Sequence, residues 1–123
     1  MKLTLKDRVL ILKTVLPDYD SRQGIILKKS IVSKINLSTK EAGEVVMAQT
    51  GHGQYDVSFR SAEAITDVKD FDITAEELEY LKAKVDYLDA DGRFSEFVLD
   101  TYNKILDEPE ELEKEAKEYL KAE

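Results

Sequence analysis

Three times along this chain a hydroxyl residue stands three positions ahead of a carboxylate, just before apolar residues at helical spacing: Thr4 with Asp7, Ser38 with Glu41, and Thr74 with Glu77. In such a capping box the hydroxyl accepts the N–H of the third helical residue, and the acid accepts the N–H of the cap. Three helix starts in 123 residues leave little room for a sheet-dominated fold. After Thr4, the residues Leu5, Val9, Leu12 and Leu16 recur at helical spacing until Pro17 stops the run, which predicts a first helix over 4–16. Leu10, Ile11 and Val15 widen its apolar surface beyond one stripe and predict burial on more than one side.

A second stripe, Leu27, Ile31, Val32 and Ile35, predicts another helix, although the many Ile and Val residues in 25–35 also suit a strand. The Ser38 cap predicts a third helix ending near Gln49. The Thr74 cap opens a long helix with Leu78, Leu81, Val85 and Leu88 on one face, stopped by Asp91-Gly92. Phe94, Val98, Tyr102 and Ile105 mark a shorter helix from Ser95 to Asp107. Beyond Pro109, the residues Leu112, Ala116, Tyr119 and Leu120 keep helical spacing within a strongly acidic segment.

Between the third and fourth helices the pattern changes. Tyr55, Val57 and Phe59 alternate with Asp56, Ser58 and Arg60, as in a half-buried strand. Val68, Phe71 and Ile73 supply its expected partner across a loop at 61–66. The fold class expected is therefore α+β, mostly helical, with helices packed around one small two-stranded antiparallel hairpin. Residues 1–106 are read as one domain, and 107–123 as an acidic C-terminal helix or tail.

The chain has no cysteine, which removes disulfides, thiolate metal sites and thiol nucleophiles, and makes the cytoplasm the expected compartment. No stretch approaches the ~20 apolar residues that cross a bilayer, so no membrane partner is expected. The net charge of −8 is unevenly spread: residues 1–37 hold eight Lys/Arg against three Asp/Glu, and the remainder holds ten against twenty-three.

His52 is the single histidine and lies between Gly51 and Gly53 in a turn cluster, with neither an orienting group nor a nucleophile beside it in sequence. Asp89, Asp91, Gly92 and Ser95 share features with a calcium loop, but aligning Gly92 to its invariant glycine puts Tyr87 and Val98 at the first and last ligand positions. An Asp-Gly helix stop followed by a Ser95 cap explains the same residues. The acid clusters Asp67/Asp70/Asp72 and Glu76/Glu77/Glu79 have no histidine at ligand spacing. The expectation is no catalytic residue, no cofactor and no metal.

Two surface readings remain. The basic first third could contact phosphate, and the acidic remainder could imitate it. Alternatively Tyr80, Ala83 and Tyr87, which face away from the Leu78 stripe, together with Tyr119, form a contact face for a protein partner or a second copy. The protein-contact reading is preferred over the nucleic-acid one.

The opening Met1-Lys2-Leu3-Thr4-Leu5-Lys6-Asp7-Arg8 through Leu16-Pro17, the Ser38-to-Glu41 helix start, and Leu88-Asp89 through Gly92-Arg93-Phe94-Ser95-Glu96 resemble a group of small acidic bacteriophage and prophage proteins of unassigned function. The resemblance extends over residues 1–106, and the acidic extension departs from it. It implies a phage or prophage origin and an accessory role in the host cytoplasm, and supplies no activity.

Overall fold

The computed structural model describes residues 1–51 and 54–109. A short strand β1 (Lys2–Leu3) leads to Thr4, which caps α1 (Leu5–Leu10). The Thr4 hydroxyl accepts the Asp7 N–H at 3.1 Å, and Asp7 Oδ2 accepts the Thr4 N–H at 2.9 Å. The helix runs on into a π turn over Ile11–Val15, closed by the Leu16 N–H on the Ile11 carbonyl at 3.0 Å. Ser21 caps α2 (Arg22–Ile35), so the β-branched run at 25–35 is helical: Ile31 and Ile35 gain more from core burial than their propensity loses. Ser38 and Glu41 form the second capping box, at the start of α3 (Thr39–Gly43).

Here the structure departs from the sequence pattern. The sequence predicts a third helix ending near Gln49, but α3 ends at Gly43 and β2 (Val45–Gly51) follows. It pairs antiparallel with β3 (Gln54–Phe59), setting Val45 opposite Phe59 and Met47 opposite Val57. The predicted strand is thus present, but its partner lies upstream, because Val45 and Val46 gain more by pairing than by extending a short helix. The expected partner run divides instead. Residues 63–66 form a single turn, α4 (Glu63–Thr66), lying against α1, and β4 (Lys69–Asp70) pairs with β1 in a second small sheet. Phe71 and Ile73 pack on the core, while Val68 is exposed.

The third capping box, Thr74 with Glu77, opens α5 (Ala75–Ala90). Gly92, at φ +69°, ends it in a Schellman motif: the Arg93 N–H bonds the Leu88 carbonyl at 2.8 Å and the Gly92 N–H bonds that of Asp89 at 3.0 Å. That arrangement accounts for the glycine of the calcium-like stretch, and Asp91 is engaged by Arg93 at 2.9 Å. Ser95 then precedes α6 (Glu96–Asp107). The core gathers Ile11, Ile31, Ile35, Leu81, Val85, Tyr102 and Ile105 from the first helix, α2, α5 and α6. Among the described residues no helix is long and apolar enough to cross a membrane.

Each capping acid also holds a distant element. Asp7 accepts the Thr101 hydroxyl at 2.6 Å and the Lys104 ammonium, tying α1 to α6. Glu41 takes both terminal nitrogens of Arg8, whose remaining donors cover the Ile35 and Asn36 carbonyls at the end of α2 at 3.0 and 2.7 Å. Glu77 takes the Lys34 ammonium and joins α5 to α2. The Arg8 donors stay close to Glu41 and hold its carboxyl at about 2 against an opposing burial effect. Burial pushes Glu77 upward, yet Lys34, the Ser30 hydroxyl and Thr74 together hold it at about 2 as well, although no hydrogen bond of normal geometry reaches its Oε2. Burial likewise raises Asp7, and its contacts with Lys104, Thr101 and Thr4 outweigh it and bring the carboxyl below its ordinary value.

Candidate contact surface

Beside the buried Val9, the first helix sets the half-buried Leu12 and the exposed Lys13 along a second side. Val9, Leu12 and Lys13 of this helix, Leu37 and Ala42 around α3, and Val45 and Met47 of β2 line an open cleft of about 320 Å³. The π turn bears on this geometry. Within the π turn Ile11 and Val15 are buried, while Leu12 and Lys13 border the cleft. Its other side is fixed from the core, since Thr14 Oγ1 donates to the Leu10 carbonyl and accepts the Tyr102 hydroxyl, each at 2.7 Å. The Tyr102 ring stands edge-on to Phe94 with centroids 5.0 Å apart.

The opposite wall is the hairpin. Residues directly paired across antiparallel strands share a face, so Val45, Met47, Val57 and Phe59 make one apolar face, and Val46, Ala48, Asp56 and Ser58 make the other. Outside its own pairing, the hairpin rests mainly on α3. Arg60 anchors its base, with its backbone N–H on the Glu44 carbonyl at 2.9 Å and its Nε on that of Gly43 at 3.0 Å. Among the described residues each strand has a single strand neighbour, so β2 and β3 both keep one edge unpaired there.

The tyrosine face of α5 is split. The Tyr80 hydroxyl donates to Asp20 at 2.8 Å, and Lys84 pairs with the same carboxylate at 2.6 Å. Lys84, Tyr80 and the Ser21 N–H bring Asp20 down to about 2, and burial beside that carboxylate raises Tyr80. Tyr80 therefore pins the loop before α2 to α5. Ala83 and Tyr87 are exposed, Tyr87 at 68%. Tyr119 and His52 lie outside the described residues. Sequence alone does not bring the cleft residues together: the width of the first apolar surface points to Val9 and Leu12, while the uniformly apolar Val45 to Ala48 carries no such signal.

Among the described residues, no group of three His, Cys, Asp or Glu side chains is placed to hold a metal ion. In the expected acid clusters, Asp70 meets the Met1 ammonium at 3.0 Å and Glu77 is taken up by Lys34 and Thr74. On α2, Arg22, Lys28 and Lys29 form no ion pair among the described residues, and the helix carries no acid. The cleft can therefore bury apolar side chains beside one cation, and the edge of β2 can take up backbone hydrogen bonds. No protein-family model, curated protein or solved structure matches the chain.

Proposed function

We propose that this protein acts through protein contacts rather than by catalysis, as an accessory protein of phage or prophage origin working in the host cytoplasm. The observation that carries this reading is the pairing of an apolar cleft with an unpaired strand edge along one wall. Apolar pockets with a few polar groups are the usual form of recognition sites, and an open edge adds main-chain donors and acceptors. The phage origin and the compartment rest on the sequence resemblance and the absence of cysteine.

Site-specific photo-cross-linking in cells tests the reading. A photoreactive residue at Leu12 or Met47 should give discrete protein adducts, whereas the same residue at Ser33, exposed on α2, should not. Equal adducts from all three positions, or none from the cleft, would refute the assignment of this surface.

One observation favours a second reading, contact with nucleic acid. Arg22, Lys28 and Lys29, which form no ion pair among the described residues, stand on an acid-free helix and could release counterions from phosphate. Filter binding across a salt series decides it: phosphate contact predicts affinity falling steeply with ionic strength, and absence of retention at low salt eliminates it.

A further inference from the structure

Resting on the protein-contact reading, we infer that the free edge of β2 pairs antiparallel with β2 of a second copy, joining two hairpins into one four-stranded sheet across a two-fold axis. The argument begins with stability. A two-stranded hairpin alone is marginal in water and needs further strands or a helix against one face. This hairpin has five-residue α3 as its main support and an apolar face on which Met47 remains 44% exposed.

The choice of edge follows from charge. Strands at sheet edges ordinarily carry charges, prolines or bulges that prevent pairing. The seven residues of β2, Val-Val-Met-Ala-Gln-Thr-Gly, hold no charge and no proline, and the register is regular from Val45 to Gln49, shifting only between Gln49 and Gly51 at the far end. On β3, by contrast, Asp56 is exposed, and pairing β3 with itself across a two-fold would bring two carboxylates into cross-strand reach. Against its own copy, β2 presents nothing to repel.

Backbone geometry points the same way. The Arg60 N–H on the Glu44 carbonyl marks that pair as hydrogen-bonded. Antiparallel ladders alternate, so the inward-bonded residues of β2 are Val46 and Ala48, and the N–H and C=O groups of Val45 and Met47 point outward. The same two residues send their side chains into the cleft. A strand laid on this edge would meet four backbone groups and the apolar cleft wall together. A two-fold pairing is also self-closing, since the surface given is the surface received, and assembly stops at two.

The test combines mass with amide exchange on the full chain. Light scattering should give twice the 14.0 kDa chain mass, and the Val45 and Met47 amides, which meet no acceptor among the described residues of one copy, should exchange at least about tenfold slower than exposed loop amides. Met47→Pro removes an outward donor and leaves the β2–β3 ladder its bonds, so it should halve the mass. Val57→Pro makes the equivalent change on the β3 edge and should leave the dimer intact. A monomeric wild type with unprotected Val45 and Met47 amides overturns the inference, as does a Met47→Pro variant that stays dimeric. If both proline variants become monomers, amide exchange in the wild type decides. Cleft adducts formed only with a foreign protein, beside a monomeric mass, would sink the second copy as the partner while sustaining the protein-contact reading.

Discussion

Lowering the pH should unfold this protein, because three of its helix starts and three of its inter-helix ties are the same carboxylates. Glu41 and Glu77 each drop from an ordinary 4.5 to about 2 in the fold, and Asp7 also lies below its ordinary value. A lowered folded value means that the unfolded chain binds more protons in the window between. The stabilisation is therefore complete above about pH 5 and is lost as pH falls toward 2. At roughly 1.4 kcal/mol per tenfold change in proton affinity, each of the two glutamates contributes on the order of 3 kcal/mol. Urea unfolding followed by circular dichroism at steps from pH 7 to pH 2.5 measures this directly. Glu41→Gln leaves the Arg8 guanidinium, only 4% exposed, without its carboxylate, and should lose roughly 3–5 kcal/mol at pH 7. The gap between variant and wild type should narrow as the pH approaches 2.5, where the unfolded wild-type chain carries a proton on Glu41 that the fold must remove. A gap of constant size, or a wild type equally stable at pH 3 and pH 7, would refute the reasoning.

Further expectations follow from the packing. Ile105→Ala empties a fully buried site between α6 and the first helix and should lower stability by roughly 2–5 kcal/mol in denaturant unfolding. Thr14→Val removes the acceptor of the Tyr102 hydroxyl and one anchor of the π turn; a loss of roughly 1–3 kcal/mol is expected, together with altered amide shifts at Leu12 and Lys13. Tyr87→Glu, on the exposed face of α5, should change stability by less than about 0.5 kcal/mol and leave the mass in solution unchanged; a changed mass would move the contact surface to α5.

The helices were legible in the sequence because their start signals are local. Thr4, Ser38 and Thr74 each meet their acid three residues on, and all three capping boxes form as spaced. The strand at 54–59 was legible from its alternation, but its partner was not. Val45, Val46 and Met47 suit either state, and pairing with Phe59, Ser58 and Val57 decides between them. The second role of each acid was also hidden: Asp7 meets a lysine 97 residues away, and Glu41 an arginine 33 residues back. Tyr80 and Tyr87 lie seven apart and look equivalent in sequence, yet Asp20, sixty residues before Tyr80, engages that hydroxyl and leaves Tyr87 open. The π turn that carries Leu12 and Lys13 lies within an ordinary apolar run, and no spacing rule marks where a helix takes in an extra residue.

Methyl NMR with a soluble paramagnetic agent tests most directly whether another chain covers the β2 wall of the cleft. In a single copy, Met47 at 44% and Ile26 at 53% are nearly equally open to solvent. At high protein concentration the Met47 methyl should be shielded and stay sharp while Ile26 broadens, and the shielding should disappear on dilution. Equal broadening of the two at every concentration would contradict the account.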